Sequence, residues 1–196
     1  MRKPTGWLPA FKVVRGVLTA MECRNLIEAS KECAYPAVRI NDDGTTRVDN
    51  EFRRCHTSHI KPGHPAYEAA TDRIIERLDE INKHYEFEFF PERERMLPMI
   101  NVNRYDASNV GGIGEHSDVG GFEDSENCKL ALSLVLNKGY SGGELNIYTG
   151  YRYKPTEDAR LGDVVVFPTF YVHSVDPVTQ GSRYSGVVWL RGPRFR

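Results

Sequence analysis

The chain has 196 residues, 40% hydrophobic and 27% charged, with 26 Lys and Arg against 27 Asp and Glu and a formal net charge of −1. That length predicts one domain with a sizeable core, and the balanced charge gives no electrostatic reason to expect nucleic acid or an anionic membrane as partner. No stretch approaches the ~20 apolar residues of a membrane-spanning helix. Nor is there a signal-peptide core near the start, because Val13-Val14 is followed at once by Arg15. The four cysteines, Cys23, Cys33, Cys55 and Cys128, form no CxxC pair and no short-range zinc spacing. They read as reduced thiols of a cytoplasmic protein, and a disulfide framework is the weaker alternative.

In chain order, helices come first. Thr19 with Glu22 three residues on has capping-box spacing and predicts a helix over 20–33. The polar turn Asn41-Asp42-Asp43-Gly44 follows. The polar stretch 39–54 is expected to fold over the mouth of a site as a lid, because loops on rigid scaffolds commonly select substrates. Within it, Arg53 and Arg54 read first as solvated surface charge and second as groups holding an acidic part of a substrate. His56, His59 and His64 lie around Lys61-Pro62-Gly63 in what reads as a loop, and a metal cluster is not expected there. A second helix spans about 65–85, where Ile74, Ile75, Leu78 and Ile81 recur at helical spacing. Glu92-Arg93-Glu94-Arg95 reads as a solvated linker.

The pattern then changes to short strands, over 99–105, 130–136, 144–149, 163–167, 172–175 and 183–190. Glycine turns separate them, Gly111-Gly112, Lys138-Gly139, Ser141-Gly142-Gly143, Leu161-Gly162-Asp163 and Gln180-Gly181-Ser182. Many short strands of this kind suggest a sandwich or barrel, with residues 1–95 as helical support and lid and 96–192 as the catalytic β region of one domain, 1–196. The stripe Leu130, Leu132, Leu134, Leu136 reads as core. Tyr148, Tyr151 and Tyr153 read as packing, with a peptide or aromatic substrate as the alternative.

The chemistry begins at Glu115-His116-Ser117-Asp118. In an extended segment, residues two apart point to one side, so His116 and Asp118 would offer an imidazole and a carboxylate to one point. His173, 55 positions after Asp118, could supply a third ligand. Two histidines and one carboxylate on one face of a metal leave the opposite positions open, the arrangement of non-haem Fe(II) oxygenases. An HxD pair alone is a weak signal, and six histidines always allow a third to be found. Arg183 adds weight. If 183–190 is a strand, Arg183 and Ser185 share a face with Val187 and Trp189, and a guanidinium on such a face is costly unless it meets an anion.

These residues also carry a family resemblance. Asn103-Arg104-Tyr105, His116-x-Asp118, Ser141-Gly142-Gly143-Glu144-Leu145, Gly162-Asp163 leading to Val166-Phe167-Pro168, and His173-Ser174-Val175-Asp176-Pro177-Val178 followed by Gly181-Ser182-Arg183-Tyr184-Ser185 together resemble the prolyl 4-hydroxylase-like Fe(II)- and 2-oxoglutarate-dependent oxygenases. The resemblance covers about residues 97–191, and earlier residues match loosely. It implies a mainly β fold with N-terminal helices, a double-stranded β-helix of the jelly-roll, cupin-like kind. It implies Fe(2+) on His116, Asp118 and His173, and the C5 carboxylate of 2-oxoglutarate on Arg183. Tyr105 resembles a tyrosine that hydrogen-bonds this cosubstrate, and Asn101 and Asn103 share its face. Val135 stands where some relatives have a second cosubstrate tyrosine, and Ser185 is taken as its substitute.

The activity so implied is hydroxylation of a prolyl or other residue in a protein or peptide, or of a free amino acid. It would consume O2 and 2-oxoglutarate, with ascorbate supporting activity. A carboxylate at position 118 favours hydroxylation over halogenation, since no halide can take its place. The alternatives are oxidative desaturation or cyclisation of a small metabolite, a non-catalytic jelly-roll binding protein, and a zinc hydrolase, which would give Arg183 no role.

Overall fold

The computed structural model describes residues 8–32, 34–37, 39–40, 45–120 and 125–195. Cys33 and the turn expected at 41–44 lie outside the described residues. Helix α1, Ala20–Lys31, forms as the spacing predicts: Glu22 N donates to Thr19 Oγ1, and Thr19 N donates back to the Glu22 carboxylate. This reciprocal cap satisfies two N–H groups that a helix start otherwise leaves free. The second expected helix is interrupted. Helix α2, Pro65–Glu76, ends where Arg77 leaves helical geometry (φ −107°, ψ 11°), and α3, Leu78–Asn82, continues in a new direction. The apolar spacing survives the break, because Ile74 and Ile81 are both fully buried. The break itself has no glycine or proline to announce it. At Arg77 the guanidinium reaches Glu80 and the Arg15 carbonyl, which ties the joint to the N-terminal strand.

Two antiparallel sheets face each other. The major sheet runs Lys12–Val14, Val164–Pro168, Cys128–Val135, Ser182–Arg191, Ile100–Asp106, His56–Ile60, Tyr35–Pro36. The minor sheet runs Arg152–Tyr153, Leu145–Tyr148, Val172–Val175, Gly112–His116, Arg53–Arg54. Together they make the expected double-stranded β-helix. The region before residue 91 is not solely helical: its strands Lys12–Val14, His56–Ile60 and Arg53–Arg54 extend both sheets. His56 and His59 are therefore strand residues, not loop residues. Their strand, His-Thr-Ser-His-Ile, is polar and lies near the sheet edge, so it lacks the apolar alternation that marks a strand in sequence.

The period-2 alternation of the strands sorts side chains into two layers. On one face of the major sheet Leu130, Leu132, Leu134, Val164, Val166, Val188 and Leu190 pack beneath the helices with Leu26, Tyr67 and Ile74. On the other face Ala131, Val135, Val165 and Phe167 look between the sheets toward Leu145, Ile147 and Val175. Both faces being covered, every residue of Cys128–Val135 is buried. Each large aliphatic so removed from water contributes about 1.5–3 kcal/mol. The inner face carries small residues, Ala131 and Ser133, opposite the leucines of the outer face. That asymmetry leaves room between the sheets.

Candidate functional site

The strand register closes the long gap in sequence between the two histidines. Gly112–His116 pairs antiparallel with Val172–Val175, and His116 and His173 are direct cross-strand partners. Partners of this kind have their Cβ atoms about 5 Å apart on one face, and here the imidazole centroids are 4.2 Å apart. Between the pairs His173–His116 and Val175–Ile113 the register shifts by one residue, a bulge in the strand that ends at His116. Bulges next to functional sites commonly re-aim a side chain in this way.

His116 and Asp118 direct their donor atoms to one point as expected, with Asp118 two residues beyond the end of the strand at His116. Asp118 N donates to the Thr169 carbonyl at 2.9 Å, which folds the segment back over the end of Val164–Pro168. The Trp189 Nε1–H then donates to Asp118 Oδ2 at 2.8 Å.

Hydrogen bonding fixes the chemistry of both rings. His116 Nδ1 lies 2.9 Å from Gly114 O, and His173 Nδ1 lies 3.0 Å from Tyr171 O. A carbonyl only accepts, so Nδ1 carries the proton in each neutral ring and Nε2 keeps its lone pair. These Nε2 atoms face Asp118, at 3.9 Å from Oδ1 for His116 and 3.5 Å from Oδ2 for His173. Burial pushes the His116 imidazole down to about 4, with the His173 charge acting in the same sense and Asp118 against it. His116 is thus a neutral donor at physiological pH. Two imidazole nitrogens and one carboxylate, converging with their outer atoms already tied to the protein, fit a borderline divalent cation such as Fe(II). Donor atoms sharing one ion at about 2.0–2.2 Å lie no more than about 4.4 Å apart, and the two separations above fall inside that limit. Among the described residues, this is the group of His, Cys, Asp or Glu side chains whose donor atoms converge closely enough to hold an ion.

The inner end of the sandwich holds a cation. Arg183 is 3% exposed, and its Nη1 donates to Ser185 Oγ at 3.1 Å. Its guanidinium carbon is 5.2 Å from the centroid of the Tyr105 ring, which belongs to its cross-strand partner. No carboxylate of the described residues forms an ion pair with it. Ser185 lies between its partners Asn103 and Val135 in one row across the sheet. The Tyr105 phenol is pushed up to about 12, mainly by burial and then by Cys55, with Arg183 and Arg53 opposing. It therefore stays protonated and able to donate. A buried guanidinium beside a hydroxyl and a phenol, with no anion among the described residues to answer it, is suited to a carboxylate ligand.

The two adjacent arginines divide. Arg53 turns inward, where Nη2 donates to Asn103 Oδ1 at 3.3 Å and Nε donates to Cys55 Sγ at 3.4 Å. Arg54 turns outward to the Val110 and Asn50 carbonyls. Surface charge is thus the right description of Arg54 and the wrong one of Arg53. Sequence reasoning placed Trp189 on the inner face without seeing its bond to Asp118. The signal was present only as an aromatic on the strand of Arg183.

The remaining candidates have separate tasks. His64 Nδ1 caps α2 by accepting from Ala66 N, His59 meets the Tyr35 hydroxyl, and His56 lies beside Arg104. Tyr148 pairs with Ser174, Tyr153 packs edge-on against Phe11, and Tyr151 is exposed. The tyrosines do not form one surface.

The model of one protein family, described as the 2OG-Fe(II) oxygenase superfamily, matches residues 100–191. A PKHD-type hydroxylase of Burkholderia lata is 27% identical over 190 residues, spanning 91% of this chain and 76% of the relative. Among solved structures, a Pseudomonas putida prolyl-4-hydroxylase superposes with a TM-score of 0.68 at 19% identity, covering 94% of this chain and 93% of its own. A Trichoplax adhaerens prolyl hydroxylase, solved with a peptide of the hypoxia inducible factor oxygen degradation domain, gives 0.68 at 15% identity, covering 93% and 83%. At these identities the structural likeness establishes the shared fold.

Proposed function

From the premise that this chain belongs to the 2OG-Fe(II) oxygenase superfamily, we propose that His116, Asp118 and His173 hold its iron and that Arg183 holds 2-oxoglutarate for hydroxylation of an amino-acid substrate. The chain is a dioxygenase using Fe(2+), 2-oxoglutarate and O2. The substrate is a prolyl or other residue of a protein or peptide, or a free amino acid. The observation that carries the assignment is the pairing, inside one sandwich, of a convergent His-Asp-His set with a buried guanidinium that has no anion of its own.

Bound iron, with 2-oxoglutarate and oxygen, supplies the oxidising power that a C–H bond demands, as 2-oxoglutarate is converted to succinate and carbon dioxide. The chain's own residues supply position. The Gly114 and Tyr171 carbonyls hold the two rings with Nε2 inward. Trp189 and the Thr169 carbonyl hold Asp118. Arg183 would take the C5 carboxylate, with Ser185 beside it, the Tyr105 phenol able to donate and Asn103 lining the wall. The packed leucines behind the sheet keep water out. The 39–54 segment, which reaches the edge of the minor sheet at Arg53–Arg54, serves as the lid. A cytoplasmic location and support by ascorbate complete the reading. No helix among the described residues is long and apolar enough to cross a membrane.

The test is titration of 2-oxoglutarate into the anaerobic Fe(II) protein, followed by the visible metal-to-ligand charge-transfer band. Arg183→Ala should lose cosubstrate binding and keep the metal, and Asp118→Ala should lose succinate formation. If Arg183→Ala binds 2-oxoglutarate as tightly as wild type, the role given to Arg183 is wrong.

A further inference from the structure

Two polar groups at the mouth have no task in the proposed function. The first is the Arg53 guanidinium. It enters from the minor-sheet side, on a strand that pairs with Gly112–His116. Its hydrogen-bond partners are an amide oxygen and a thiol, both neutral. Asp118 attracts it at longer range, and no carboxylate of the described residues forms an ion pair with it. Its bond to Asn103, which shares a strand face with the inner-layer residue Tyr105, turns it toward the space between the sheets. The second group is Asn101, 7% exposed, whose Oδ1 is buried with no hydrogen-bond partner. Asn101 and Asn103 share the inner face of their strand, a spacing of roughly 7 Å. A buried acceptor left unpaired costs about 1–3 kcal/mol, and a guanidinium bonded only to neutral groups keeps its charge unanswered, so each group has room for a partner that the described residues do not provide.

We propose that Arg53 and Asn101 form a substrate subsite for a carboxylate with an N–H group beside it, Arg53 taking the carboxylate and Asn101 Oδ1 accepting from the N–H. The preferred substrate is therefore a carboxylate-bearing amino acid or chain end. This deepens the proposed function and rests on it. Arg53 and Arg183 bring two guanidiniums to the inner face, and among the described residues neither forms an ion pair with a carboxylate, Asp118 acting on Arg53 only at longer range. The distal carboxylate of 2-oxoglutarate answers Arg183, and Arg53 remains to be answered. An internal residue of a polypeptide has no main-chain carboxylate to offer. A free amino acid, a C-terminal residue, or an acidic side chain does. The α-carboxylate and the amino nitrogen of an amino acid are attached to one carbon, so one small ligand can meet a guanidinium bonded to Asn103 and an acceptor two residues along the same strand face.

The experiment has three arms on the Fe(II) protein. First, the charge-transfer band is titrated with 2-oxoglutarate for wild type and Arg53→Ala. Both should bind alike. No binding by wild type would overturn the functional reading itself and this subsite with it. A loss in Arg53→Ala as large as that expected of Arg183→Ala would make Arg53 a cosubstrate ligand and sink the subsite alone. Second, the free L-amino acids and their carboxamides are compared by calorimetric binding to wild type with 2-oxoglutarate and by stimulation of succinate formation. The acid of at least one pair should bind about tenfold or more tightly than its amide, as loss of a charge-assisted bond predicts. Amides equal to acids throughout, or no binding by any free acid or by the capped acidic peptides of the third arm, would overturn the proposal. This arm needs no variant and stands even if Arg53→Ala fails to fold. Third, N-acetylated, C-amidated peptides with central Asp or Glu identify which carboxylate is used: binding by these in place of free acids places the charge on a side chain. Arg53→Ala should abolish the difference between acid and amide, and Arg53→Lys should restore part of it.

Discussion

At the residue scale, one bond carries much of the site's order. Trp189 donates to Asp118 Oδ2 from the strand of Arg183, so the carboxylate is turned by a side chain 71 positions away. Such outer partners typically affect metal affinity about 10–100-fold. Trp189→Phe keeps the ring and removes the donor. It should lower affinity for Fe(II) or Co(II) by about that factor while leaving the fold intact, as read by chelator competition with circular dichroism as control. Unchanged affinity would mean that the Thr169 contact alone sets the carboxylate. Sequence reasoning reached the proposed ligands and the pairing of Arg183 with Ser185, because alternation along a strand fixes which side chains share a face. It missed Trp189 and misjudged Arg53, because their partners lie on other strands and loops.

At the scale of elements, the N-terminal strand is fastened to the barrel through Asp163. Its buried carboxylate accepts from Gly16 N, Arg160 N and the Arg15 guanidinium. Gly162, at φ +81°, brings the chain so close to Leu18 that a Cβ there would lie 2.0 Å from the Leu18 carbonyl oxygen. Asp163→Ala should cost about 2–4 kcal/mol in urea unfolding, since charged hydrogen bonds are lost at a buried position. The pH dependence has a definite sign. Burial by itself would raise the carboxyl's pKa, but the two backbone N–H groups and Arg15 outweigh it and hold the pKa below the ordinary 3.8. A depressed folded value gives stability that is complete above the unfolded pKa and fades as pH falls through the folded one. Asp163→Asn should therefore flatten part of the stability loss below about pH 4. A wild-type acid limb in that variant would contradict the assignment. The Gly162-Asp163 pair was legible as a motif in the sequence. Its partner Gly16 was not, because a close approach of two chains leaves no local signature.

At the scale of the whole molecule, the proposed metal site would tie the minor sheet to the loop end of the major sheet, with His116 and His173 on one and Asp118 anchored to Thr169 at the other. An ion bound to the folded state alone stabilises by about 2.7 kcal/mol at a concentration 100 times its Kd. For a chain of this length that corresponds to roughly 5–10 °C in Tm. Scanning calorimetry should show such a rise with Fe(II), Co(II) or Zn(II), reversed by chelator and absent in Asp118→Ala. A rise of the same size in that variant would place the stabilising ion elsewhere.

The sequence by itself determined the helix cap at Thr19, the strand alternation after residue 99, and the choice of the proposed metal donors and of the buried arginine. Each rests on local geometry: a three-residue cap spacing, or a period of two, is written in consecutive residues. The tertiary structure decided the rest. It joined polar strands of the N-terminal half to both sheets, broke the second helix at Arg77, and anchored Asp118 to Thr169. It also turned Arg53 inward and Arg54 outward, and left Asn101 Oδ1 without a partner. These depend on register and on contacts between distant segments, where the free energy of a side chain is set by what the fold places against it and not by its neighbours in sequence.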